Sequence, residues 1–474
     1  MRPLAFLALC GAAAALLAGR IPSALAEQRL TLGPGAKQTS INFARNIVAG
    51  PGRQVQVIWF DDRAGIAQVY SKRSLDGGIT WGPDIQLSQA GVQSEQPALA
   101  RSGLRVYAVW HAYRPGGPEV IFRRSSDGGA TWGPRVSLGA GASPSLAASG
   151  PRVRVVWSDR REGEAEAYTR GSADAAATWD SEVRLSSVPH ESWVATVELS
   201  GDRAYVGWVD YRDGNEEEYF RGSRDGGATW GPPMRLTADP ADSWAPSIAA
   251  AGETLRLAWF DRRDAGVTDL DVERKLNETL ALIGRPAPPP QRDPAVYYLP
   301  DFMVRVQAKL QTIEKRAPDW VRQGGDAARL DALLHQFQAL MTTWTYSWEI
   351  YLKRSSDGGA TWSPAVRLTF APGPSMRPSI AAAGPEVVLV WCEGRDGESQ
   401  VYLKRSGDGG ATWGPDVRLT ASTGNPLGDS MHPSLALGAD GTAYVVWTDR
   451  RSGTPEIYFQ RLGPKAGRRP EPSG

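Results

Sequence analysis

The residues of this chain best suited to chemistry are acid–arginine pairs that recur in the motif Trp-x-Asp-x-Arg. A carboxylate two residues after the tryptophan and a guanidinium four residues after it can form a bidentate ion pair. The motif occurs in seven repeats, and we interpret it first as a structural ion pair that secures a loop. Its arginines are Arg63, Arg114, Arg161, Arg212, Arg263, Arg395 and Arg451, and its acids are Asp61, Asp159, Asp210, Asp261, Glu393 and Asp449.

The second repeat departs from this motif, because Ala112 stands where the acid would be. Arg114 therefore lacks the usual partner, and we predict that it is available as a bidentate donor to a ligand carboxylate. Tyr113 precedes it in the same loop and is a second candidate ligand contact.

Large apolar side chains recur in the segments that connect one repeat with the next. Trp193 and Trp244 occupy matching positions, and Met376 and Met431 stand there in later repeats. These segments lead into the first strand of each repeat, which the architecture predicted below places around a central pore. Two interpretations remain open: a hydrophobic plug, and a platform on which a sugar ring stacks.

Other chemistries find little support in the sequence. The histidines fall in separate elements without metal-ligand spacing, and neither a nucleophile elbow nor a phosphate-binding loop is present. Asp269 and Asp271 are weak evidence for calcium, and we interpret them as part of a solvated loop. The sequence predicts no metal and no cofactor. The four histidines are His111, His190, His335 and His432.

The elements that position these residues are organised around an eight-residue turn, SSDGGATW at residues 355–362. Its aspartate can accept hydrogen bonds from N–H groups of its own turn, its glycines supply backbone angles closed to other residues, and its tryptophan anchors the turn. Copies recur about every 50 residues, which indicates stacked supersecondary units. They begin at Ser74, Ser125, Ser172, Ser223, Ser355 and Ser406, and the third has alanines instead of both glycines.

Each repeat also contains four short strand patterns, which predicts an all-β propeller with one four-stranded blade per repeat. The last repeat stops after the strand that contains Tyr458, whereas residues 28–32 (QRLTL) match an outer strand. We therefore expect the N-terminal strand to close the propeller, which spans residues 27–462, and to remove its free sheet edges. Seven tryptophans at the end of second strands predict seven blades: Trp59, Trp110, Trp157, Trp208, Trp259, Trp391 and Trp447.

The fifth repeat is interrupted by an insertion, residues 264–348. A proline-rich linker is followed by two apolar patterns at helical spacing, Val304 to Lys315 and Ala327 to Met341, which predict a helical hairpin. It grows from the loop between the second and third strands, so it emerges on the face that also carries the Trp-x-Asp-x-Arg motifs. It is either a decoration packed on the rim or a lid, and we predict that a short loop could replace it without loss of the propeller.

The eight-residue turn resembles the Asp-box, or BNR repeat, of sialidases and their non-sialidase relatives. Sialidase propellers have six blades, which is the alternative to seven here. The resemblance implies an arginine triad for a carboxylate, an aspartate acid/base and a tyrosine nucleophile helped by a glutamate. The similar residues in this sequence are Arg377 and Arg395 as carboxylate ligands and Asp396 as acid/base, whereas no Tyr–Glu pair can be assigned.

The ends and the charge of the chain bound its location and partners. Residues 1–26 have the pattern of a cleavable secretory signal, which predicts a secreted or periplasmic protein, and residues 463–474 are predicted to be a disordered tail. A net charge of +1 gives no electrostatic footprint for nucleic acid or an anionic membrane. The mature chain is expected to have no membrane span, and its oligomeric state is open.

Three functions compete on this basis. The first is a non-catalytic propeller that binds a glycan or an extracytoplasmic protein on the face bearing the insertion, and regular repeats favour it. The second is an exo-acting glycoside hydrolase of the sialidase type. The third is a scaffold for an envelope or matrix protein.

Overall fold

The computed structural model describes residues 26–42, 44–187, 191–239, 241–267, 269–284, 301–395, 397–420 and 430–464. Within these residues, seven antiparallel sheets form a seven-bladed β-propeller with four-stranded blades, as predicted. The six-bladed alternative is therefore excluded. In blade 1 the innermost position is shared by two short strands, so its sheet contains five.

The strands of each blade run outward from the central axis in chain order. Blade 1 comprises β2 (Lys37–Gln38), β3 (Ile47–Ala49), β4 (Val55–Asp61), β5 (Gln68–Ser74) and β6 (Ile85–Gln86). Blades 2 and 3 comprise β7 (Ser94–Ser102), β8 (Arg105–Arg114), β9 (Gly117–Ser125) and β10 (Val136–Ala140), then β11 (Ala142–Ser149), β12 (Arg152–Asp159), β13 (Glu166–Ser172) and β14 (Val183–Arg184). Blades 4 and 5 comprise β15 (Ser192–Ser200), β16 (Arg203–Asp210), β17 (Glu217–Ser223) and β18 (Met234–Arg235), then β19 (Ser243–Ala251), β20 (Thr254–Asp261), β21 (Glu349–Ser355) and β22 (Val366–Arg367). Blades 6 and 7 comprise β23 (Ser375–Ala383), β24 (Glu386–Glu393), β25 (Gln400–Ser406) and β26 (Val417–Arg418), then β27 (Ser430–Leu437), β28 (Ala443–Asp449), β29 (Glu456–Leu462) and β1 (Gln28–Arg29).

The N-terminal strand closes the ring, as the sequence predicted. β1 pairs antiparallel with β29 in blade 7, with Gln28 opposite Phe459. The Leu30 N–H donates to the Ile457 carbonyl at 2.7 Å, and Arg29 Nη2 lies 2.6 Å from Glu456 Oε1. The first and last parts of the chain thus share one blade, which leaves the outer edge of β29 paired.

The core lies between the blades and repeats with them. The seven second-strand tryptophans are at most 1% exposed, and six of them stack on the tyrosine of the third strand, as Trp208 does on Tyr219 at 6.0 Å between ring centroids. Because β-strand side chains alternate, each blade buries one face against each neighbour. This repeated burial explains how the fold is held together without a disulfide among its described residues.

The two ends of the propeller differ in their loops. One end, the turn face, carries the eight-residue turns between third and fourth strands. In the turn that starts at Ser406, Asp408 accepts hydrogen bonds from the Thr412 N–H at 2.9 Å and the Thr412 hydroxyl at 2.5 Å. The Thr412 hydroxyl bond is the main reason why the pKa of Asp408 is lowered. The opposite end, the insertion face, carries the connections between second and third strands and between blades.

The described residues of the insertion contain three helices, not two: α1 (Asp269–Leu282), α2 (Asp301–Arg322) and α3 (Ala327–Tyr346). Residues 269–271, predicted to lie in a loop, begin α1. Val272, Leu276 and Leu280 of α1 are at most 3% exposed and belong to one hydrophobic cluster with Phe260 of blade 5. The helices therefore cover a core surface of the propeller, which argues against the prediction that a short loop could replace them. The proline-rich linker, residues 286–290, lies outside the described residues.

Among the described residues, no helix is both long enough and apolar enough to cross a membrane.

Residues 39–42 and 44–46 of blade 1 cross the end of the central channel at the insertion face. In this segment the Ser40 hydroxyl donates to the Pro97 carbonyl of blade 2, and Asn42 Nδ2 donates to the Pro144 carbonyl of blade 3 at 3.1 Å. Below it, a cavity of about 150 Å³ is lined by inner-strand alanines together with Arg45, Arg101 and Glu198. The propeller axis is thus plugged by the chain itself.

Candidate functional site

In the blades that carry its acid, the Trp-x-Asp-x-Arg motif forms an ion pair within the blade, and blade 4 shows the full network. Asp210 accepts hydrogen bonds from Trp208 Nε1 at 2.9 Å and from Arg212 Nε at 2.8 Å, and the Ser192 hydroxyl donates to it at 3.0 Å. The Arg212 guanidinium lies 4.2 Å above the ring of Tyr219. The ion pair therefore joins three strands of one blade, which supports the structural interpretation of the motif.

Arg395, predicted as a carboxylate ligand, belongs to this network. Its Nη2 lies 3.1 Å from Glu393 and 2.7 Å from Asp416, and its guanidinium lies 4.3 Å above the Tyr402 ring. Burial acts to lower the pKa of Arg395, but hydrogen bonds to Asp416 and Glu393 outweigh it and raise that pKa. The repeat motif thus already uses the charge of Arg395, and its role as a carboxylate ligand stays a prediction.

Asp396, the predicted acid/base, lies outside the described residues. Its counterparts five positions after the second-strand tryptophan are bound to their own blade. Asp213 accepts a hydrogen bond from the Tyr219 hydroxyl at 2.6 Å, and Asp264 accepts one from the Tyr351 hydroxyl at 2.5 Å. The repeat thus offers a structural role for an acid at this position.

Arg114 is not unpartnered, which corrects the prediction drawn from Ala112. Its Nε lies 3.3 Å from Glu119 Oε2, and its Nη2 donates to Gln89 at 3.3 Å. The hairpin of blade 2 is tight, so Arg114 pairs with Gly117 inside the sheet and meets an acid from the adjacent strand. The Arg114 side chain is 36% exposed. Because both of its contacts are long, it is the most weakly bound of the seven motif arginines.

The neighbourhood of Arg114 contains Tyr113 and a buried histidine. The rings of His111 and Tyr113 meet edge to face with centroids 5.1 Å apart. His111 is 1% exposed, and burial lowers its pKa to about 3. A neutral His111 accepts the Ser143 N–H on Nδ1 at 3.4 Å, so this histidine serves the packing between blades 2 and 3.

Trp193 and Trp244 do not form an exposed platform. They are 7% and 8% exposed, and their rings meet edge to face with centroids 4.7 Å apart. Trp244 Nε1 donates to Glu216, and both rings belong to the hydrophobic cluster shared with the helices. Of the two interpretations of these tryptophans, the structure supports the hydrophobic plug.

Met376 and Met431 lie at matching β-bulges where the inner strands of blades 6 and 7 reach the insertion face. In both strands the register shifts immediately after the methionine. Met376 packs against the cluster that contains Trp244, so the arc of tryptophans continues from blade 5 into blade 6. Each methionine is followed by a residue with left-handed backbone, Arg377 at φ 60° and His432 at φ 53°.

The side chains at these two bulges form the most distinctive polar cluster of the insertion face. His432 is half-buried, and its loss of solvation is the main reason why its pKa is lowered well below 6.5; the charges of Arg377 and Arg450 lower it further. Arg377 also approaches the thiol of Cys392, whose pKa is raised by burial and partly restored by the guanidinium. Arg377, predicted from the resemblance, therefore stands beside His432 and Arg450, which the sequence analysis did not connect with it.

Neither Arg377 nor Arg450 forms an ion pair with any of the described residues. By contrast, the arginines that correspond to Arg450 in blades 3 and 5 have partners: Arg160 pairs with Glu191, and Arg262 with Asp242 at 2.9 Å. One sequence signal could have indicated His432. It stands directly before the proline of the inner strand of blade 7, and Arg377 stands at the same position in blade 6. The residues at this position in blades 2, 3 and 5 are Gln96, Ser143 and Ala245. The cations Arg377 and Arg450 and the neutral imidazole of His432 therefore lie close together on the insertion face.

The described residues contain no cluster of three or more histidine, cysteine or acidic side chains that could hold a metal ion. Asp271, one of the acids considered for calcium, instead accepts a hydrogen bond from Arg274 at 2.9 Å within α1.

The architecture places this chain among the β-propellers. No protein-family model matches it, and no curated protein matches it. Solved structures that share the fold include a Trypanosoma rangeli sialidase in complex with sialic acid, at 11% identity and a TM-score of 0.44, over 93% of this chain and 59% of that one. A Penicillium chrysogenum α-L-arabinanase complexed with arabinobiose matches at 14% identity and a TM-score of 0.44, over 78% and 93%.

A further match is the intramolecular trans-sialidase from Ruminococcus gnavus in complex with oseltamivir carboxylate, at 12% identity and a TM-score of 0.42, over 89% of this chain and 94% of that one. The chain spans less than two thirds of the Trypanosoma rangeli protein. At these identities the similarity concerns the β-propeller fold alone.

Proposed function

We propose that this chain is a binding protein whose ligand, a glycan or a protein segment that bears a carboxylate, is held on the insertion face at blades 6 and 7. The observation that carries the proposal is the Arg377 guanidinium beside half-buried His432, without an acid partner among the described residues. Arg450 adds a second cation from blade 7. A carboxylate bound there could form an ion pair with the Arg377 guanidinium, which has no acid partner in the described part of the chain.

The neighbouring surface suits a ligand larger than a carboxylate. Met376 and Met431 flank the two polar residues, and thioethers adapt to apolar faces of sugars or side chains. The helical insertion covers blade 5 next to this position, so it forms one wall of the site. This role for residues 264–348, and the assignment of the eight-residue turns as Asp-boxes with a structural role, are parts of the same proposal.

The proposed location of the protein is extracytoplasmic, on the basis of the signal pattern in residues 1–26. A ligand outside the cytoplasm, such as an acidic glycan, fits that location. We propose a non-catalytic role because Arg395 is consumed by the repeat motif and Asp396 has bound counterparts in other blades.

A titration of the full chain with carboxylated and neutral glycans tests the proposal. Arg377→Ala is expected to weaken binding of carboxylated glycans by at least about tenfold, roughly 1.4 kcal/mol, and to leave binding of neutral glycans unchanged. Arg377→Lys should keep part of the affinity. Arg114→Ala is the matched control, because its arginine lies in blade 2. Equal binding by the wild type and Arg377→Ala would contradict the proposed site.

The same protein should be incubated with a fluorogenic α-sialoside. Turnover that Asp396→Asn abolishes would replace the binding proposal with the sialidase-type alternative.

A further inference from the structure

At six of the seven junctions that the described residues form, an arginine at one of two equivalent positions, in the second or the third strand of a blade, contacts a turn of the next blade. In each case an arginine of one blade reaches the turn face of the next, and in five of them it donates to a backbone carbonyl. The five hydrogen bonds run from Arg73 to Asp127 (3.5 Å), Arg124 to Ala175 (2.9 Å), Arg154 to Gly226 (2.9 Å), Arg256 to Gly409 (3.0 Å) and Arg405 to Gly441 (3.0 Å). In the sixth, Arg461 of blade 7 lies against Gly77 of blade 1.

The junction between blades 4 and 5 lacks this arginine. The two positions that supply it elsewhere hold Tyr205 and Gly222, and the Tyr205 hydroxyl donates within the junction to the Gly252 carbonyl at 3.0 Å. A Cβ at Gly222 would point at the Gly358 carbonyl from 3.3 Å. Gly358 is the counterpart of Gly226 and Gly409, and its carbonyl accepts no hydrogen bond from the described part of the chain.

The missing side chain leaves a cavity of about 310 Å³ that opens on the turn face. The buried rings of Tyr205 and Phe220 form its floor, and the Gly358–Gly359 backbone forms its far wall. The floor is rigid, because the Phe220 ring is held edge to face by Trp362 with centroids 5.1 Å apart. The cavity therefore has an unused acceptor above an aromatic base.

We propose that this cavity binds a guanidinium group, namely an arginine side chain of a partner protein. The other junctions show which group suits the position, because a guanidinium from the chain itself occupies it there. The Gly358 carbonyl would accept the N–H donors, and the two rings would face the cation. The site lies on the opposite end of the propeller from the carboxylate site proposed above, so it is independent of that function.

The charges around the cavity permit a cationic guest. Arg203 lines the cavity, but it is paired with Glu253 at 2.5 Å. Arg224 is exposed at the rim, and its like charge should weaken the binding. Removing Arg224 is therefore expected to improve the affinity, which a merely apolar pocket would not show.

Titration of the full chain with N-acetyl-arginine amide, followed by NMR, tests the proposal. N-acetyl-citrulline amide has the same shape without the charge, and N-acetyl-norleucine amide tests apolar binding. We expect the arginine amide to bind at one site at least about fivefold more tightly than either analogue. Arg224→Ser should strengthen its binding about twofold to fivefold, since one like charge is removed.

Two variants link this binding to the cavity. Gly222→Arg should abolish it, because the chain then supplies its own guanidinium. Arg124→Gly reproduces the combination of tyrosine and glycine at the junction of blades 2 and 3, and it should raise the stoichiometry from one site to two. Equal affinity for citrulline or norleucine amide, retained binding by Gly222→Arg, or an unchanged stoichiometry in Arg124→Gly would overturn the proposal.

Discussion

Arg45 and Glu198 form an ion pair across the central channel, with Arg45 Nη2 2.9 Å from Glu198 Oε2. Arg45 belongs to the segment of blade 1 that plugs the channel, and Glu198 belongs to the inner strand of blade 4. Burial raises the pKa of Glu198, and Arg45 only partly offsets this effect. The pair therefore connects blades 1 and 4. Folding disfavours the charged form of its carboxyl group, that of Glu198.

This pair should make stability depend on pH. A carboxyl whose pKa is raised by folding contributes most below its unfolded pKa, and that contribution is lost as pH rises. In Arg45→Met the offsetting charge is gone, so we expect a loss of about 1–3 kcal/mol in the free energy of unfolding at pH 8 and a smaller loss at pH 5. Urea denaturation at both pH values measures this. The Arg45→Met/Glu198→Met double variant should recover most of the loss, and equal losses at both pH values would contradict the account.

The motif arginines should differ in their contribution to stability according to their partners. Arg161 binds Asp159, lies 2.6 Å from Glu182 and stands 4.6 Å above the Tyr168 ring, whereas the Arg114 side chain has two polar contacts among the described residues, both at 3.3 Å. We expect Arg161→Ala to cost about 1–2 kcal/mol and Arg114→Ala less than about 0.5 kcal/mol. Thermal melting of the two variants side by side measures the difference. Equal shifts would show that the two arginines have the same structural role.

The repeat made the propeller predictable from the sequence, but it did not indicate where single blades depart from the common structure. The spacing of turns and tryptophans specified seven blades and the closing strand, because each repeat buries the same positions. The helical spacing of Val272, Leu276 and Leu280 could have indicated the first helix, which was not among the predictions. A partner such as Glu119 for Arg114 could not be predicted, because it depends on how tightly one hairpin turns.

The sequence indicated Met376 and Met431 by their matching positions, and Arg377 by its resemblance to a sialidase motif. The neighbours of Arg377, His432 and Arg450, come from the next blade, and their approach depends on the curvature of the ring. The burial of Trp193 and Trp244 depends on helices that are remote in the sequence, so no local pattern distinguished a plug from a platform.

The third eight-residue turn should be strained, because Ala175 and Ala176 replace the glycines yet keep left-handed backbone, with φ of 61° and 62°. An alanine in this region costs about 1 kcal/mol relative to glycine. Ala175→Gly should therefore raise the free energy of unfolding by about that amount, since its side chain is not fully buried. Ala173→Gly, one position before Asp174, is the control and should not stabilise. Chemical denaturation of both variants would detect a failure of this expectation as an unchanged or lower midpoint for Ala175→Gly.

The helical insertion should be required for solubility. Its removal would uncover Trp193, Trp244 and Phe260, which now share a cluster with α1. We expect replacement of residues 264–348 by the four-residue loop DGNE of blade 4 (residues 213–216) to give a protein that binds a hydrophobic dye and aggregates. The same replacement combined with Trp193→Ser and Trp244→Ser should aggregate less. A monomeric replacement variant without dye binding would show that the helices are separable after all.

A single acid in the interface between blades 4 and 5 should weaken the fold as pH rises. Glu218 is fully buried, and neither carboxyl oxygen has a hydrogen-bond partner among the described residues. Burial raises its pKa well above 4.5, and the charges of Glu217, Asp261 and Glu216 raise it further. The other six blades place apolar residues at this position: Val69, Val120, Ala167, Ile350, Val401 and Ile457.

Glu218→Val is therefore expected to stabilise the protein by about 1–3 kcal/mol at pH 8, because an unpaired buried acid is replaced by the residue that the repeat uses elsewhere. The sign of the pH effect follows from the raised pKa: the folded state favours the protonated form, so the wild type loses stability as pH rises above 4.5. Glu218→Val should lack this part of the loss, and the gap between the two proteins should widen from pH 5 to pH 8. Val401→Glu, the converse change in blade 6, should destabilise and acquire the pH dependence. A constant gap, or a destabilised Glu218→Val, would mean that Glu218 has a partner that this interface supplies in solution.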